Sequence, residues 1–126
     1  MPYAMITFRV RPGHEDELAQ VFADAPALES PVVTDEHGDQ TARLLGTGVF
    51  VKDDVLVRLV HYEGDFAGIA RHLAAQRHVH VIEDRIKPYL ADPRATGTAD
   101  GFAAFFRDAT MRCLTQSTGQ THPTPL

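Results

Sequence analysis

From Tyr3 to Val10 apolar and polar positions alternate at the period of a strand, with Ala4, Ile6, Phe8 and Val10 on one face and Tyr3, Met5, Thr7 and Arg9 on the other. Pro12-Gly13 stops the run. Glu15, Asp16 and Glu17 then open a helix, whose N-terminus favours negative charge. Leu18, Val21, Phe22 and Ala25 follow at the i, i+3, i+4, i+7 spacing of a core-facing stripe, and Pro26 closes it. Between Pro26 and Gln40 the pattern lapses. Glu29, Asp35, Glu36 and Asp39 sit there with no Lys or Arg, which predicts a long solvated flap.

The runs Ala42 to Val51 and Val55 to Tyr62 are rich in β-formers, and the polar Lys52-Asp53-Asp54 between them makes a hairpin. Gly46 and Gly48 weaken the first run and mark a bulge or a close approach of backbone or ligand. Asp65 is a good helix N-cap for a stripe of Phe66, Ile69, Ala70 and Leu73. Val79, Ile82 and Ile86 predict a shorter helix from His78 to Ile86, broken by Lys87-Pro88. Thr98 caps a last helix carrying Phe102, Phe105, Phe106 and Ala109 inward, and Met111 to Thr115 is read as a final strand. Residues 116–126 have almost nothing to bury and are expected to form a disordered tail.

The resulting order, β-α-β-β-α-(α-α)-β, predicts one α+β domain over residues 1–115. It is the split βαβ arrangement of a ferredoxin-like sandwich, a four-stranded antiparallel sheet with helices on one face. Met5, Leu45, Val49, Val60 and Cys113 are expected on the other face, which water covers poorly. A second subunit stacked sheet on sheet, as a dimeric α/β-barrel, is the expected cover.

Strand parity then assigns candidates to a chamber between two sheets. If Ala4, Ile6 and Phe8 face the helices, Thr7 and Arg9 face the chamber. Val55, Val57 and Leu59 form the purer apolar face of their strand and are expected against the helices. That sends Arg58 and Tyr62 to the chamber, joined by Arg43 and Thr47 if the second strand runs without a bulge. The same alternation points His61 to the helix side, although a bulge at the strand's end would redirect this natural general base. His78-Val79-His80 would align two imidazoles on a strand, but on a helix they diverge, and no metal is expected. Glu63, Asp65 and Glu83 read as turn, cap and solvated face.

Composition narrows the classes. The 126 residues are 44% apolar and 23% charged, ordinary for a globular chain that folds without staples. Twelve basic against seventeen acidic residues give a net charge of −5, with no basic stripe, which excludes the usual nucleic-acid footprint. The single Cys113 excludes an internal disulfide framework. No apolar run is long enough to span a membrane and Met1-Pro2-Tyr3 lacks a leader's layout, so a cytoplasmic location without membrane contact is expected. No G-x-G-x-x-G occurs, so no dinucleotide cofactor is expected.

Three segments resemble the SchA/CurD-like domain of aromatic polyketide and spore-pigment pathways: GTGVFVKDDVLVRLVHYEGD (46–65), RHLAAQRHVHVIEDRIKPYL (71–90) and DGFAAFFRDATMRCLT (100–115). Their most specific pieces are Glu63-Gly64-Asp65, Pro88-Tyr89-Leu90 and the Gly101-Phe102 and Phe105-Phe106-Arg107 pair of motifs. The layout is similar to that of tetracenomycin-type polyketide cyclases, small dimeric ferredoxin-like proteins in which a His-Pro stands where this chain has His78-Val79. The resemblance implies a cofactor-free, homodimeric cyclase or aromatase that folds a poly-β-ketone, free or carrier-bound, within a synthase complex. Arg58, Tyr62 and His61 are the catalytic candidates, and Arg9, Arg43, Thr47 and His78 the substrate-binding ones. A cofactor-independent monooxygenase and a non-catalytic polyketide-binding or scaffold protein are the alternatives left open by the sequence.

Overall fold

The computed structural model describes residues 2–26, 28, 30–94 and 96–117. Its elements are β1 (Tyr3–Arg9), α1 (Glu15–Asp24), β2 (Val32–Thr34), β3 (Gln40–Lys52), β4 (Val55–Gly64), α2 (Phe66–Ala75), α3 (Arg77–Ile86), a short 3₁₀ turn (Lys87–Tyr89) and α4 (Ala99–Ala109). The sheet order is β1-β4-β3-β2, antiparallel throughout, and the helices pack on one face. This is an α+β fold of the ferredoxin-like kind, with β4 inserted between β1 and β3.

Local chemistry explains the boundaries. The Asp65 carboxylate accepts from the Ala67 and Gly68 amides at 3.2 and 3.1 Å, and the Thr98 hydroxyl accepts from Gly101 at 3.0 Å. Caps of this type are each worth about 1 kcal/mol. Gly64 precedes the Asp65 cap at φ +89, and a Cβ there would lie 2.3 Å from the Thr41 carbonyl oxygen, so only glycine fits this corner. The β3–β4 hairpin turns on Asp53 at φ 54, a left-handed position that aspartate tolerates.

Two expectations change. The 26–40 segment is not wholly irregular: Val32–Thr34 pairs with β3 as an edge strand, because β-branched Val33 finds a buried place against the sheet's helix layer. Met111 to Thr115 is no strand. The chain meets β1 through a single bridge, Ile6 to Thr110, and one bond from the Met111 amide to the Met5 carbonyl, then departs. Arg112 and the exposed Leu114 give it no apolar face to lay on the sheet. Of the expected tail, residues 118–126 lie outside the described residues, while the Gln116 side chain accepts from the Tyr3 amide at 2.8 Å.

The core has two parts. One gathers Ile6, Leu44, Val60, Ile69, Leu73, Phe102 and Phe106 under α2 and α4; the other gathers Val10, Leu18, Leu56, Ile82 and Ile86 under α1 and α3. Each large side chain among them contributes about 1.5–3 kcal/mol through burial. Along β4 the two parts are separated by a single inward position, residue 58.

Candidate functional site

Register decides which side chains face the helices. Ala4, Ile6 and Phe8 of β1 stand opposite Val60, Arg58 and Leu56 of β4, and directly opposed residues share a face. Arg58 and Tyr62 therefore point into the helix layer and not away from it, while Val55, Val57, Leu59 and His61 take the open face. The expected parity of β4 was inverted. Both of its faces are apolar, so alternation alone cannot orient it; pairing with β1 does. For the same reason Val60, completely buried, and Val49 belong to the helix side and not to the open face.

A bulge between Leu44 and Gly46 finishes the assignment. The extra residue, Leu45, shifts parity by one, so Thr47 faces the helices with Val49 while Arg43 stays on the open side. Arg9 lies on the open side too and pairs with Asp54 at 3.1 Å. His61 stacks there on Tyr3, with ring centroids 4.4 Å apart. Tyr62 packs beside Phe66 in the first core part; burial, then the charges of Asp65 and Cys113, holds its hydroxyl above the usual phenol range.

Three of the seven candidates meet in one place. Thr47, Arg58 and His78 line a cleft of about 550 Å³ between the end of α1, Pro26 and Leu28, the sheet and α3. Its remaining walls are largely apolar, including Phe22, Leu44, Val49 and Ile82. Arg58 stands at its inner end, where a water-sized cavity of about 20 Å³ continues between the sheet and α3. The site thus belongs to one protomer, not to a chamber between two. Arg9, Arg43, His61 and Tyr62 are not part of it.

Arg58 is half-buried and opens into the cleft. Among the described residues it forms no ion pair with a carboxylate; Glu83, whose charge acts on it, is held by Arg94 at 2.7 Å. Burial pulls its pKa below the ordinary arginine value; Glu83 opposes that pull and Arg94 adds to it. A guanidinium starts so far above neutrality that it stays cationic all the same.

Glu83 and its partners escaped the sequence reading. Glu83 is not on a solvated face; it is 7% exposed. Arg94 grips it through Nη2, at 2.7 Å to Oε1 and 2.9 Å to Oε2, and through Nε at 3.1 Å, while the Thr96 hydroxyl donates to Oε2 at 2.9 Å. The Arg94 guanidinium is also sandwiched, 4.0 Å from the Phe8 ring centroid and 3.8 Å from that of Phe105. A signal existed. With Val79, Ile82 and Ile86, Glu83 completes the i, i+3, i+4, i+7 stripe of α3, so a carboxylate was placed in a core slot and needed a cation. Two guanidinium groups against one carboxylate leave the interior with an excess positive charge, and it faces the cleft.

The open face carries apolar side chains and no helix. Phe50 is 56% exposed and Leu45 38%. Among the described residues no helix is long and apolar enough to cross a membrane, and no cluster of potential metal ligands occurs.

A family model described as the SchA/CurD like domain matches residues 1–119. The chain is 35% identical over 113 residues to the "42.8 kDa protein in whiE locus" of Streptomyces coelicolor, covering 90% of this chain and 27% of that protein. It is 33% identical over 106 residues to "Polyketide synthase CurD" of Streptomyces cyaneus, and 27% identical over 106 residues to "Protein SchA" of Streptomyces halstedii, 84% of this chain in both cases. It spans about a quarter of the length of these relatives, 27% of CurD and 26% of SchA. No solved structure matches it significantly.

Proposed function

The chain belongs to the SchA/CurD-like domain family, and from that premise we propose that it serves aromatic polyketide biosynthesis as a cyclase- or aromatase-like enzyme acting on a poly-β-ketone held in the Arg58 cleft. Two relatives, one named as a polyketide synthase and one as a protein of the whiE locus, support the pathway. The observation that carries the chemistry is Arg58, a cation that no carboxylate among the described residues pairs with, at the inner end of an apolar cleft.

Ring closure of a poly-β-ketone is an intramolecular aldol step. A base removes a proton from a methylene flanked by two carbonyls, the carbanion attacks a distant carbonyl carbon, and the new alkoxide takes up a proton before water leaves. Negative charge passes from an enolate oxygen to an alkoxide oxygen. A preorganised guanidinium in a water-poor site stabilises both. Arg58 is assigned that role, His78 the proton transfers from the cleft wall, and Thr47 the orientation of a carbonyl. Apolar Phe22, Leu44 and Ile82 exclude water and fold the chain. No cofactor takes part in this scheme. A second copy of the chain is proposed to cover the open face, where Phe50 and Leu45 are exposed.

Co-expression with a minimal polyketide synthase, with products identified by mass and connectivity, tests the reading. A changed ring pattern or loss of water supports a cyclase. A gained oxygen points to a monooxygenase, and an unchanged product to a binding or scaffold role; either overturns the proposal.

A further inference from the structure

Among the described residues Glu83 is the only carboxylate lining the cavity into which Arg58 extends. Left to itself it would neutralise Arg58, and the cleft would lose its positive charge. It is instead committed elsewhere. Arg94 takes both of its oxygens in a fork, Thr96 takes one more lone pair, and two aromatic rings fix the Arg94 plane. A planar fork of this kind outcompetes a single-point contact for a carboxylate.

We propose that Arg94 is a positioning residue: by capturing Glu83 it keeps Arg58 without an internal partner, so that Arg58 accepts an oxyanion, the enolate or phenolate of a polyketide, as its counter-ion. Thr96 holds Glu83 on the Arg94 side. Arg94 itself does not line the cleft. The inference rests on Arg58 being the group that meets the ligand, and it adds the reason that Arg58 is available.

The prediction is one of opposite signs, which a merely structural network would not produce. The probe is alizarin, a hydroxyanthraquinone whose phenolate absorbs in the visible, titrated into the purified protein at a pH where it is ionised. Arg94→Gln frees Glu83 to pair with Arg58 and weakens alizarin binding about tenfold or more. Glu83→Gln removes the competing carboxylate, keeps one acceptor oxygen for Arg94 and Thr96, and leaves binding equal or tighter. The double variant R94Q/E83Q restores binding. Thr96→Val, which preserves shape, weakens binding by a smaller factor and supplies the decision if Arg94→Gln fails to fold. The inference is overturned if Arg94→Gln and Thr96→Val bind alizarin like the parent protein, or if Glu83→Gln weakens it as they do. Arg58→Met is the reference. Binding that survives Arg58→Met removes both this inference and the reading of the cleft, whereas Arg58-dependent binding indifferent to Arg94 and Thr96 removes this inference alone.

Discussion

Replacing Arg58 by Met should make the protein more stable and less active at once. The half-buried side chain lines a cavity with Ile6, Phe8, Leu56 and Phe105, and Glu83, the one carboxylate of that lining among the described residues, already belongs to Arg94. An enclosed charge without a partner costs several kcal/mol of solvation, and replacing such charges by apolar side chains of similar volume is neutral or stabilising by about 1–4 kcal/mol. Arg58 retains a view of the cleft and feels the field of Glu83, so the lower part of that range applies, about 1–3 kcal/mol. For a chain of this length each kcal/mol moves the melting temperature by about 3–5 °C, so calorimetry should place R58M several degrees above the parent. The same substitution removes an oxyanion donor, and loss of one such donor costs about a hundredfold or more in turnover. In the co-expression assay the diverted product should fall to trace level. A variant that melts below the parent would show Arg58 to be a structural ion-pair member. A variant with the parent's product pattern would remove it from the chemistry. Either result refutes the reasoning.

Tyr62 binds its proton more tightly in the folded protein than in the unfolded chain, so the folded state holds more protons above the unfolded phenol pKa of about 10 and stability declines as pH rises through that range. Tyr62→Phe should flatten the decline, read by chemical denaturation across alkaline pH; with three tyrosines and no tryptophan, absorbance titration isolates the late-titrating phenol. Gly64→Ala forces a Cβ to within 2.7 Å of the Ala42 Cα in a left-handed conformation and should destabilise by about 2–4 kcal/mol in a urea titration. Leu59→Lys places a charge on the open sheet face and should abolish self-association in sedimentation velocity while leaving alizarin affinity unchanged, because the cleft lies on the opposite side of the sheet.

Much of the fold is legible in the chain because its signals are local. The acids opening α1, the caps Asp65 and Thr98, the hairpin turn at Asp53 and the aromatic stripe of α4 each act within a few residues, and each stands where those residues imply. What was not legible depends on partners far away in sequence. The orientation of β4 is set by β1, some fifty positions earlier, and both faces of β4 are apolar enough to be buried. Gly46 marks a bulge in the sequence, but its placement at Leu45 is a register property of two strands, and that placement moves Thr47 from one face to the other. The short strand Val32–Thr34 exists because Val33 finds a buried place beside Gly68 of α2, a contact no window of sequence reveals.

The inverted parity has a physical consequence for where chemistry can happen. An arginine on the open face would be hydrated and would bind an enolate weakly, since a charge pair in water at contact distance is worth only about 1 kcal/mol. On the helix face the same side chain stands in a medium of lower effective dielectric, where its field on a developing oxyanion is several times stronger. The position it occupies is the seam between two core parts, where α1 and α3 diverge and the sheet floor is reached from outside. A charge can be tolerated there because breaking the continuity of the core has already been offset by two separate apolar clusters on either side. The Glu83–Arg94–Thr96 network lies on the same side of the sheet, beyond the inner end of the cleft, fixed by bidentate and aromatic contacts, and on the proposed reading it sets the sign of the potential without entering the cleft. One expected outcome separates this arrangement from any site shared by two sheets: if the proposed cleft is the binding site, alizarin binding should persist under dilution that dissociates any dimer formed through the open face, and its loss on dilution would refute the single-chain site.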